Sequence, residues 1–76
     1  MQDFYYKSTV KIEPSDVAAV LAIATTDMVI TRVGIYQKIS VPDATSLTST
    51  RKSAILARAN SREITAAEWQ EATGEA

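Results

Sequence analysis

Apolar and polar positions alternate along residues 4–12. Phe4, Tyr6, Ser8, Val10 and Ile12 fall on one side, and Tyr5, Lys7, Thr9 and Lys11 on the other. A period of two in a stretch rich in aromatic and β-branched residues predicts a half-buried strand. Pro14 ends it. Val17–Ala24 then reads Val-Ala-Ala-Val-Leu-Ala-Ile-Ala, the one long run with no polar position. Four alanines favour helix over a buried strand. Ser15 is the expected N-cap and Asp16 suits the positive end of the helix dipole, which places a helix over 16–25. A helix apolar on every side calls for cover on every side.

Residues 28–41 alternate again, with Val29, Thr31, Val33, Ile35, Gln37, Ile39 and Val41 forming the more apolar side. Fourteen extended residues would span roughly 46 Å at about 3.3 Å each. A compact chain of this length is only roughly 30 Å across. The segment must therefore bend, break or reach a second subunit, and Gly34 is the natural place for a kink. Pro42-Asp43 closes it and opens a polar stretch. A second helix is expected over about 46–60, its thin apolar side made by Ile55, Leu56 and Ala59. Thr65-Ala-Ala-Glu68 is a capping box, and Ile64 and Trp69 stand at the spacing of a hydrophobic staple. A last helix over 66–73 follows, with 74–76 as a frayed tail.

The expected fold is thus a small α+β single domain over residues 1–76, in the order strand-helix-strand-helix-helix. It has two strands, or three if Gly34 divides the second. Pairing the two main strands through the intervening helix would make them parallel, with a right-handed crossover. Two strands make a poor sheet alone, so a second subunit is expected to complete or cover it.

Composition narrows the chemistry. The 76 residues include no Cys and no His, so disulfides, thiolate metal sites and histidine acid–base work are all out of reach. Acidic residues are scattered, and nothing reads as a calcium loop. The only glycines, Gly34 and Gly74, open no helix, which excludes a phosphate-cradling loop. No serine lies in a nucleophile elbow. Gly34-Ile35-Tyr36 spells the start of the GIY-YIG nuclease signature, but no Tyr-Ile-Gly follows. No catalytic residue, metal site or cofactor is expected, and the chain is not expected to be an enzyme. No signal peptide is expected from the start Met-Gln-Asp-Phe-Tyr-Tyr, and no apolar run reaches the ~20 residues of a membrane helix. A cytoplasmic protein with no membrane contact is the expectation.

Charge is uneven although the net is only −1. Residues 51–62 hold Arg51, Lys52, Arg58 and Arg62 without an acid, and residues 63–76 hold four glutamates without a base. On one helix Arg51, Arg58 and Arg62 would fall within about 40° of each other. Such a stripe could meet phosphates, or simply pair with Glu63, Glu68 and Glu71. Helix-turn-helix and ribbon-helix-helix are both disfavoured, because a β-branched run follows the first helix where a second helix should stand. The expected function is a non-enzymatic homo-oligomer that binds another macromolecule, in the style of a phage or mobile-element accessory protein, inhibitor or adaptor. Alternatives are a small DNA- or RNA-binding regulator using the arginine stripe, which the acidic tail disfavours, and a structural subunit of a larger assembly. The candidate partner-binding residues are Arg51, Lys52, Arg58, Arg62, Tyr5 and Tyr36. Val17, Leu21, Val29, Val33 and Ile35 are the candidate oligomer interface.

Overall fold

The computed structural model describes residues 1–58 and 61–75. Its elements are β1 (Gln2–Lys7), α1 (Pro14–Leu21), a 3-10 turn (Thr25–Asp27), β2 (Val29–Val33), β3 (Tyr36–Val41), α2 (Ser49–Arg58), β4 (Arg62–Ile64) and α3 (Ala66–Thr73). The fold is α+β, as expected. The sheet is four-stranded in the order β2-β3-β1-β4, and every pair is antiparallel. The parallel crossover is therefore corrected: the chain passes through α1 to the edge strand β2, and β1 pairs antiparallel with β3.

The long segment breaks at Gly34. Val33 lies opposite Tyr36, which leaves Gly34-Ile35 as a two-residue loop. Gly34 has φ +63°, a conformation glycine adopts without the Cβ clash that other residues meet. Glycine first in a two-residue loop is the type II′ arrangement, whose twist suits a hairpin. The hairpin also answers the length problem, since the molecule measures 30 × 24 × 21 Å. A two-residue loop swaps parity, however. Ile30 lies opposite Ile39, so the core side of β2 is even-numbered while that of β3 is odd-numbered. The single apolar side expected for 28–41 is wrong in its first half. Val29 and Val33 point the other way and are 56% and 36% exposed.

β1 is shorter than the alternation implied. Val10 N–H donates to Ser8 Oγ (3.1 Å) while the same hydroxyl donates to Val10 carbonyl (2.7 Å), a local turn that takes the chain out of the sheet. Val10 is left exposed, and Ile12 returns to the core. The first helix starts with Pro14 in its first turn after Glu13, which caps without a side-chain bond, so Ser15 is not the N-cap. It ends where Ala22 turns left-handed (φ 57°) and Ile23 N–H reaches Ala18 carbonyl (3.2 Å). Ala19, Ala22 and Ala24 are exposed. The run is covered on one side only, because methyl groups on the other side cost little to leave wet.

One face of the sheet carries Phe4, Tyr6, Gln37, Ile39 and Val41, all buried. With Val17, Leu21 and Ile55 from α1 and α2, the apolar members of this set form the core. Tyr6 donates its phenol hydrogen to Gln37 Oε1 (2.9 Å) inside this core. Burial pushes the Tyr6 phenol up to about 12, against a smaller opposing pull from the Arg32 charge. The opposite face carries α3, whose Trp69 is fully buried with its ring centroid 5.9 Å from that of Tyr5. The last helix has the bounds its capping box implied, with Glu68 N–H bonded to Thr65 Oγ1 (3.1 Å). Gly74 closes it with a left-handed turn, its N–H on Gln70 carbonyl (2.8 Å). The second helix starts at Ser49, later than expected, and is described as far as Arg58; residues 59–60 of the expected span lie outside the described residues.

Candidate functional site

The second face of the sheet is where side chains stay available. Residues opposite one another in the ladder share a face. A middle row therefore runs Thr31, Lys38, Tyr5, Ile64 across the four strands. Trp69 packs on this row, with Lys38 Nζ 5.9 Å from the indole centroid and Tyr5 on the neighbouring strand. The next row runs Val33, Tyr36, Lys7, Arg62. Here Val33 and Arg62 are exposed, and Tyr36 and Lys7 half-buried, with Lys7 Nζ 5.7 Å from the Tyr36 ring centre. On the far side of the middle row lie Val29, Ser40 and Asp3.

Both sheet edges are strands, and they differ. β4 is three residues long and carries Arg62 and Glu63, the short charged form that discourages strand addition. β2 is five residues long, and its outer side pairs with no strand among the described residues. Its one charge is Arg32, whose Nε donates to Gly34 carbonyl (2.9 Å). Val29, Thr31 and Val33 alternate on its second face, so β2 offers an open backbone edge and an apolar strip together.

The expected arginine stripe does not form. Arg51 and Arg58 lie in α2 but Arg62 lies in β4, because the chain leaves the helix before residue 62. Arg51 Nη1 donates to Ser46 carbonyl (3.2 Å) and Leu21 carbonyl (3.5 Å), which ties α1 to the start of α2. Lys52 pairs with Glu63 (3.0 Å), and Arg62 approaches Glu68 (3.8 Å). The side chain of Arg58 lies outside the described residues. Pairing with the C-terminal glutamates is thus the arrangement seen for two of these bases. Tyr5 is committed to Trp69, leaving Tyr36 the more available tyrosine.

Of the proposed interface residues, Val17 and Leu21 are covered by the chain's own core, at 0% and 2% exposure, and cannot serve a surface. Val29 and Val33 can, while Ile35 sits half-buried in the hairpin loop. Sequence reading missed Lys7, whose place beside Arg62 depends on β4, a strand too short to leave a pattern. An open cleft of about 570 Å3 is lined by Lys7, Ser8, Thr9, Ile35, Ser61 and Arg62. Among the described residues no three Asp or Glu side chains gather as a metal site, and no helix is long and apolar enough to cross a membrane. Comparison with protein-family models, with curated proteins and with solved structures finds no match.

Proposed function

We propose that the protein is a small interaction module that self-associates through β2 and acts by binding another macromolecule rather than by catalysis. The observation that carries this reading is the β2 edge: a five-residue strand whose outer side pairs with no strand among the described residues, with Val29 and Val33 exposed at its ends. An edge of this kind ordinarily carries charges, a proline or a bulge that blocks strand addition. β2 has no proline or bulge, and its single charge, Arg32, is turned onto the Gly34 carbonyl. It is also self-complementary. Antiparallel pairing of two copies about Thr31 sets Val29 opposite Val33 of the second copy and Ile30 opposite its Arg32. Apolar side chains then meet on the second face, and no charge stands directly opposite a like charge. Two four-stranded sheets become one of eight, a symmetric dimer with the same patch used twice.

The absence of cysteine from the sequence makes the test clean. Opposed residues in such a ladder have Cα atoms about 4.5–5.5 Å apart, within disulfide reach. Mixing Val29→Cys protein with Val33→Cys protein under oxidation is expected to give a covalent dimer. Val29→Cys alone gives none, because its two copies lie roughly 13 Å apart along the ladder. Sedimentation of the unmodified protein should return a dimer mass. A folded monomer at micromolar concentration overturns the reading; a dimer without the mixed disulfide moves the interface away from β2.

A further inference from the structure

A second feature stands apart from the β2 edge. Lys7 and Arg62 are directly opposite one another on β1 and β4, two cations on one face of an antiparallel pair. Like charges so placed destabilise a sheet. Little in the fold offsets the cost. Lys7 has no carboxylate partner among the described residues; its neighbour is the Tyr36 ring. Arg62 reaches Glu68 only at 3.8 Å, and its side chain is 70% exposed. Both line the open cleft of about 570 Å3, together with Ser8, Thr9, Ile35 and Ser61. The Ser8 and Ser61 hydroxyls already donate to the Val10 and Leu56 carbonyls, whereas Thr9 is exposed. The row that contains them, Val33-Tyr36-Lys7-Arg62, carries no acid.

We propose that this cleft binds the phosphate of a nucleotide, with Tyr36 beside it as the surface on which the base stacks. An anion between Lys7 and Arg62 converts their repulsion into two attractions, and the arginine fork can meet phosphate oxygens in pairs. The exposed Thr9 hydroxyl suits a further oxygen. As Lys7 Nζ turns from the ring to the phosphate, a face of Tyr36 is released for stacking, the sequence-tolerant contact that sheet surfaces use on single strands. The same chemistry is presented by a free mononucleotide and by a single-stranded nucleic acid.

Two titrations separate these sources: fluorescence anisotropy with labelled single-stranded RNA and DNA oligonucleotides, and NMR shifts with adenosine monophosphate, both at about 20 mM salt. Saturable oligonucleotide binding that weakens with salt assigns the site to single strands. Shifts at Lys7, Tyr36 and Arg62 with the mononucleotide alone assign it to the free nucleotide. In either case Lys7→Gln and Arg62→Gln are each expected to weaken binding about tenfold, with the salt slope for the strand falling by about one per cation removed. Tyr36→Leu should weaken binding without changing that slope. Circular dichroism melts establish that each variant is folded. No binding to either probe, or binding unchanged in folded Lys7→Gln and Arg62→Gln, overturns the proposal. Neither result bears on the β2 dimer, whose test is the mixed disulfide.

Discussion

The two faces of the sheet solve different problems. The face under α1 and α2 is closed by Phe4, Ile39, Val41, Val17, Leu21 and Ile55, side chains with nothing to offer a ligand. Its one polar pair, Tyr6 and Gln37, is turned inward and bonded to itself. The face under α3 rests on Trp69, which packs against Tyr5 and Lys38 in the middle row and leaves the flanking rows in contact with water. A chain this short has apolar volume for one full core. Once the first face has used it, the second is held by a few amphipathic side chains, whose polar ends remain at the surface. The stable face carries the fold, and the half-covered face carries the candidate sites.

If that division holds, damage to the first face should be global and damage to the second local. Leu21→Asp places a carboxylate among apolar side chains, a cost of several kcal/mol against a total stability of about 5 kcal/mol for a domain of this size. The expected result is complete loss of the cooperative melt by circular dichroism. A folded variant would mean that Leu21 is not in the core. Trp69→Ala should cost about 3 kcal/mol, with the largest NMR shift changes confined to α3, β4 and Tyr5. Collapse of the whole spectrum would show the faces to be equally essential. Trp69→Phe should be far milder, since the buried indole N–H has no hydrogen-bond partner to lose.

The smallest effect tests the inward pair. Gln37 Nε2 is already buried without a partner, and Tyr6→Phe would leave Oε1 unpaired too. The expected loss is about 1–2 kcal/mol by urea denaturation, largely recovered when Gln37→Leu is added, because removing both partners removes the penalty. The same residue gives a pH signature. The unfolded phenol loses its proton near pH 10 and the folded one near 12, so the unfolded chain binds fewer protons between these values. The contribution is intact below pH 10 and falls as pH rises, by up to about 1.4 kcal/mol per unit. Comparing the alkaline limbs of the native protein and Tyr6→Phe isolates it; parallel limbs would show that Tyr6 is not desolvated.

The sequence by itself determined what is local. The capping box implied the bounds of α3, the alanines implied a helix at α1 though neither its start nor its end, and the mismatch between a fourteen-residue strand and the molecule's width required a bend, a break or a second subunit, with Gly34 the natural place for a kink. Absence of Cys and His limited the chemistry before any fold was known. Tertiary structure decided what depends on register. The two-residue loop reversed which side of β2 is apolar, so Val29 and Val33 went to the surface rather than to the core. Antiparallel pairing of β1 with β3 replaced the expected crossover. Pairing of β4, whose three residues carry no periodicity, split the arginine stripe and set Arg62 beside Lys7. Each of these follows from contacts between residues far apart in the chain, whose register is specified by one-sided burial and loop length together and not by local pattern.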